Sequence, residues 1–83
     1  MAVIDDVKQV LGETLQLGDR ATQFTAETSL FGAIAEFDSM AVVTVVTALE
    51  ERFGIFIEDD EIEADVFETV GSLAAFVDRK LAA

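Results

Sequence analysis

Apolar residues recur at intervals of three and four through Val3, Ile4, Val7, Val10, Leu11 and Leu15, with Asp5, Asp6, Lys8, Gln9 and Glu13 between them. That spacing lays one apolar stripe along a helix and predicts an amphipathic helix over residues 2–15. Gly18 reads as its stop. From Leu17 to Phe37 no period is sustained beyond a turn around Ser29-Leu30-Phe31, so a long connection is expected there. A structureless stretch of about 20 residues in a small domain calls for anchors or a function. Phe24, Leu30, Phe31, Ile34 and Phe37 are the expected anchors.

Residues 39–53 carry two competing signals. The β-branched run from Met40 to Leu49 has the propensity of a buried strand. Its apolar pattern nevertheless continues to Phe53, with Val42, Val43, Val46, Leu49 and Phe53 on one helical stripe and Gly54 placed as a stop. Length decides for a helix, with Asp38 or Ser39 as its N-cap. After Ile55-Phe56-Ile57, acids lead the segment 58–65, as a helix N-terminus prefers, and predict a short helix. Thr69 then caps a last helix whose stripe is Val70, Leu73, Ala74, Val77 and Leu81, with Arg79 and Lys80 at its C-terminal end. The expected fold is all-α. It is a four-helix bundle with three longer helices, one short third helix and a long loop between helices 1 and 2, formed by residues 1–83 as a single domain.

Composition narrows what such a bundle can do. Without Cys, His, Trp, Tyr or Pro in 83 residues, no zinc finger, thiol enzyme, haem site or Ser-His-Asp hydrolase can be assembled. So short a chain buries only about 60–65% of its unfolded surface, and the 52% hydrophobic content is what makes a core feasible. Seventeen acids against five bases give a net charge of −12, which repels nucleic acid and anionic membrane surfaces and favours a partner with a basic face. The N-terminal residues lack the pattern of a signal peptide, and the longest apolar run is broken by Thr44 and Thr47, so the expected location is the cytoplasm. With that charge the expected state is a monomer.

The residues left for chemistry are few. Ser39, beside Asp38, stands between an irregular loop and a helix start, where a side chain is both exposed and fixed in direction. No base is available to activate its hydroxyl, so it is not a self-sufficient nucleophile and the chain is not expected to be an enzyme. Two readings remain. Asp38 and Ser39 are simply capping residues, or Ser39 is an attachment point modified by another enzyme, where a phosphodiester would meet helix N–H groups and the positive end of the dipole. The acids of 58–68, seven with no base among them, lack the alternating ligands, central Gly and closing Glu of a calcium loop. They read as a solvated face, and no metal site is expected. The seven Phe residues read as core anchors, except that Phe37, just ahead of Asp38, either projects beside the site or braces the loop.

From Phe37-Asp38-Ser39-Met40, through Leu49-Glu50-Glu51-Arg52-Phe53-Gly54-Ile55, to Glu68-Thr69-Val70-Gly71-Ser72-Leu73, the chain resembles the acyl carrier proteins over nearly its whole length. That resemblance implies 4′-phosphopantetheine carried covalently on Ser39, supplied from coenzyme A by a phosphopantetheinyl transferase. Asp38 matches the acid that helps position Mg²⁺ and coenzyme A, and Met40 stands where the family usually has Leu, a swap close in volume. Val43, Val46, Leu49, Ile57 and Ile62 match positions that line the family's acyl pocket, while ordinary core packing is the primary role expected of each. The implied partner-binding residues are Met40, Thr44, Glu50 and Glu51. The implied function is to tether acyl intermediates as thioesters and shuttle them between synthases, acyltransferases and loading ligases with basic docking faces, in a lipid, polyketide or exopolysaccharide-linked pathway. Two alternatives stand beside it: a D-alanyl-like aminoacyl carrier, and an unmodified helical interaction module.

The chain also departs from the family pattern. Ala35-Glu36-Phe37 stands where fatty-acid carriers often have Leu-Gly-x ahead of Asp-Ser, and Thr44 stands where an acid is usual. Residues 40–49 are uncharged, so the surface near Ser39 is expected to be more apolar than in a fatty-acid synthase carrier. A dedicated pathway is the expectation that follows.

Overall fold

The computed structural model describes residues 2–33 and 37–82; Ile34, Ala35 and Glu36, part of the expected anchor and approach to Ser39, lie outside them. Among the described residues the fold is all-helical, with α1 Val3–Thr14, α2 Leu30–Ala33, α3 Ser39–Phe53 and α4 Val70–Ala82. Single stretches of 3₁₀ helix occupy Gly18–Gln23 and Asp59–Glu61. The expected three longer helices are α1, α3 and α4. The short third helix is reduced to one 3₁₀ turn at 59–61, and the long loop is less irregular than its sequence, since it holds both the first 3₁₀ stretch and α2.

α1 lies against the 18–23 stretch, α3 and α4, and so forms the centre of the packing. Its Val7 and Leu11 are completely buried together with Leu30, Val45, Leu49, Val70, Leu73 and Val77. α1 ends earlier than Gly18. Gln16 takes the left-handed conformation at φ 55°, and the Leu17 N–H returns to the Gly12 carbonyl at 2.9 Å, closing the last turn and burying Leu17.

α3 begins and ends as its sequence signals. The Ala41 N–H donates to Asp38 Oδ1 at 2.9 Å, and Gly54 sits at φ 66°, where its N–H and that of Ile55 both reach the Glu50 carbonyl, at 2.9 and 3.2 Å. The rotation of α3 differs from the expected stripe: Ala41, Val45, Val46 and Leu49 are buried, Val42 and Phe53 are half-buried, and Val43 is 60% exposed. With residues 40–49 apolar or threonine on every side, polarity does not mark which face turns inward. The exposed threonines bond backward along the helix, Thr44 Oγ1 donating to the Met40 carbonyl and Thr47 Oγ1 to the Val43 carbonyl.

α4 opens on a reciprocal cap in which the Ser72 N–H donates to Thr69 Oγ1 and the Thr69 N–H donates to Ser72 Oγ, each at 3.0 Å. Its next free N–H groups are satisfied by the long loop. Val70 N–H reaches the Thr28 carbonyl at 3.0 Å and Gly71 N–H the Ala26 carbonyl at 2.9 Å, while Leu30 N–H donates back to the Glu68 carbonyl at 3.0 Å. An isolated antiparallel bridge pairs Ser29 with Thr69 in the middle of this seam. The seam fixes α2 and therefore the ground on which the start of α3 is built. Phe76 is buried beside the expected stripe of α4, whereas Leu81, expected inside, is exposed like its neighbours Asp78, Arg79 and Ala82.

Candidate functional site

Asp38 spends one carboxylate oxygen on the cap of α3, which leaves Ser39 as the first helical residue. The Ser39 side chain is exposed, and among the described residues its hydroxyl has no hydrogen-bond partner. A bare hydroxyl over the first turn of a helix of 15 residues is open to an outside enzyme. The backbone N–H groups there and the positive dipole end favour an anion attached to that oxygen. The fit to a phosphodiester-linked arm is therefore good on this chain's own geometry.

The approach to Ser39 is braced by aromatics. Phe37 is buried, with its ring edge-on to Phe31 at 4.8 Å between centroids and tilted against Phe67 at 6.1 Å. Of the two roles open to Phe37, the loop brace is the one its burial supports. Phe31, expected as a core anchor, is instead 52% exposed and stands on the same side of the molecule as Ser39. α2 is a single turn, so burying Leu30 sends the next side chain outward.

Ser39 opens on a hollow of about 310 Å³ bounded by Phe31, Val42, Ile62, Glu63, Ala64 and Phe67. Four of the five residues expected to line an acyl pocket, Val43, Val46, Ile57 and Ile62, border a different hollow of about 660 Å³ on the neighbouring face of α3. Thr47, Glu50, Phe56 and the acids Glu58, Asp59 and Asp60 complete its lining. Leu49, the fifth, takes the core-packing reading and not the pocket one. It is fully buried in the core and borders neither hollow, because it lies on the innermost line of α3. Val42, Phe31 and Phe67 are the site neighbours that sequence reasoning missed. Val42 was within reach of it, since position i+3 from Ser39 shares a helix face; Phe67 comes from a segment that only tertiary packing brings near.

Of the expected docking residues, Met40 is 74% exposed, and Thr44 and Glu51 are also exposed. Glu50 departs from the expectation: it is half-buried, and its Oε2 accepts the Ile57 N–H at 2.8 Å, so its carboxylate ties the loop after α3 back to the helix. Phe56, on that same loop, is 69% exposed. In the acidic segment, Glu61 is held by Lys80 Nζ at 2.8 and 3.0 Å and accepts the Glu58 N–H at 3.0 Å. The Lys80 bond chiefly, then the Glu58 N–H, keep the Glu61 pKa below its ordinary value. The other acids of the segment are exposed, and among the described residues no group of three or more is arranged to hold a metal ion.

Residues 5–77 match the family model described as the phosphopantetheine attachment site. The acyl carrier protein of a Sulfurovum species is 41% identical over 78 residues, covering 94% of this chain and 97% of its own. That of Wolinella succinogenes is 37% identical over 78 residues, with 94% and 96% covered. This chain belongs to the acyl carrier proteins. The solution NMR structure of a holo acyl carrier protein from Nitrosomonas europaea superposes with a TM-score of 0.93 at 52% identity, over 100% of both chains. The carrier is accordingly not a catalyst, and its cofactor is covalently attached 4′-phosphopantetheine. Membership also implies work with a phosphopantetheinyl transferase and with acyl-handling enzymes. No helix among the described residues is long and apolar enough to cross a membrane.

Proposed function

We propose that Ser39 carries the arm, and that the protein moves acyl groups between enzymes of a dedicated lipid, polyketide or exopolysaccharide-linked pathway. The observation that carries this reading is the Ser39 hydroxyl, exposed and without a partner among the described residues, at the head of α3. In the loading step a transferase directs the hydroxyl oxygen onto the phosphorus nearest the pantetheine. The new P–O bond to Ser39 replaces the one inside the pyrophosphate, the hydroxyl proton passes to the transferase, and the nucleotide half of coenzyme A leaves. Once attached, the arm's thiol supplies the thioester-forming sulfur that a chain without Cys lacks.

What the chain itself contributes is position and surface. Asp38 caps α3 through one oxygen and is an exposed residue, so its carboxylate can help hold the Mg²⁺ and coenzyme A of the loading reaction. Met40, Thr44 and Glu51 form the face that partners read, and the uncharged stretch 40–49 supports partners that make apolar contact there and place basic groups opposite the acids of 58–68. A tethered cargo reaches a docked active site as an intramolecular reactant, which raises its effective concentration. One domain over residues 1–83, acting as a monomer in the cytoplasm, suffices for this work. Incubation with coenzyme A and a broad-specificity transferase, followed by intact mass, tests the assignment: the wild type gains one phosphopantetheine and Ser39→Ala gains none.

A further inference from the structure

Met40 follows Ser39 in the chain and, at 74% exposed, is the most open of the large apolar side chains among the described residues. Val43, one turn further along α3 and itself exposed, extends the same face. Neighbouring Cα atoms lie about 3.8 Å apart, so an enzyme that brings a phosphorus atom to the Ser39 hydroxyl must cover Met40 as well. Met40 also shares with Met1 alone the readily oxidised chemistry of the unloaded chain, which has no Cys, His, Trp or Tyr. The net charge of −12 repels anionic oxidants but leaves neutral hydrogen peroxide free to approach.

We infer that Met40 is an oxidation site through which hydrogen peroxide turns off the loading of Ser39. The thioether lone pair attacks one peroxide oxygen, and the S–O bond forms as the O–O bond breaks. Sulfur gives up two electrons; the displaced hydroxide takes the proton left on the transferred oxygen and departs as water. The sulfoxide sets a polar acceptor where the loading enzyme makes apolar contact, and covering it without a donor is costly. Met40 stands outside the core, so the fold is left intact. A dithiol reductase restores the thioether, its two thiols closing to a disulfide as the oxygen leaves as water. This rests on Ser39 being the attachment point.

The test uses the full unloaded chain, wild type and Met40→Leu, treated with hydrogen peroxide that is then removed. Peptide mass locates the added oxygen, and intact mass follows loading from coenzyme A by a broad-specificity transferase. Oxidised wild type is expected to load at least about tenfold more slowly than untreated protein. Its Tm stays within about 1 °C of the untreated value. Methionine sulfoxide reductases with dithiothreitol return the original rate, and Met40→Leu, which keeps Met1, loads equally well before and after peroxide. An undiminished rate in protein carrying the Met40 sulfoxide, or a Met40 that stays reduced while Met1 is oxidised, overturns the proposal and leaves Ser39 as the attachment point. A Tm that falls by several degrees, a rate that reduction does not restore, or an equal loss in Met40→Leu overturns it too. Untreated wild type that gains no mass overturns both.

Discussion

Gly71 and Ala26 meet closer than any side chain allows. The Gly71 N–H donates to the Ala26 carbonyl at 2.9 Å, and a Cβ on Gly71 would stand 2.7 Å from that oxygen and 2.9 Å from the Ala26 Cβ. The contact joins the start of α4 to the long loop, and through Thr28 and Leu30 to α2, whose Phe31 stands at Ser39. Gly71→Ala is therefore expected to push the loop off α4 and to cost about 1–3 kcal/mol. Urea unfolding measures it; a change below about 0.5 kcal/mol would mean that the loop yields freely.

Gln16 offers the opposite change. It holds φ 55°, a conformation that costs a residue with a Cβ about 1–2 kcal/mol relative to the ordinary helical region. Gln16 is exposed, so replacing it loses little packing. Gln16→Gly is expected to raise stability by up to about 1 kcal/mol, a Tm gain of roughly 4–8 °C for a domain of this size.

Asp38 combines two duties that substitutions can separate. Asp38→Ala removes the acceptor for the Ala41 N–H and is expected to cost about 0.5–2 kcal/mol. Asp38→Asn keeps the cap and therefore the Tm, but removes the charge proposed to help hold coenzyme A and its Mg²⁺. The asparagine variant should load at least tenfold more slowly than wild type at unchanged stability. Equal loading rates would reduce Asp38 to a cap alone.

The Lys80–Glu61 pair makes a prediction with a definite sign. Because the folded pKa of Glu61 lies below its ordinary 4.5, the native state binds the proton less readily than the unfolded chain. The pair's contribution is complete above about pH 4.5 and is lost as pH falls from there through the lower folded value. The Tm difference between wild type and Lys80→Met should shrink over that window. Glu61→Gln, which removes a negative charge where the first variant removes a positive one, should follow the same course. Differences that stay constant or widen toward acid would contradict the pair's role.

The start and end of α3 and the cap of α4 were legible because each signal is local. Asp38 caps a residue three positions on, Gly54 supplies its own φ, and Thr69 and Ser72 satisfy each other. The rotation of α3 was not legible, because a helix with Val42, Val43, Val45 and Val46 in a row has no polar side to orient it. The bounds of α1 were legible to within a residue, but the residue that closes it was not: Gly18 advertises a turn, whereas the left-handed position at the helix end is Gln16, followed by the buried Leu17. Ser39 stood out through the resemblance of the stretch around Phe37-Asp38-Ser39-Met40 to the acyl carrier proteins, because the Asp-Ser pair by itself reads equally well as a helix cap. Its hollow did not, since Phe31, Val42, Ile62 and Phe67 meet only after α2 is sewn to α4.

The oxygen of Ser39 is the proposed point of attachment, and intact mass after treatment with coenzyme A and a broad-specificity transferase tests it most directly. One phosphopantetheine added to the wild type, located on the peptide containing Ser39 and absent from a folded Ser39→Ala variant, is the predicted result. An unmodified wild type, or a group found on another residue, would contradict it.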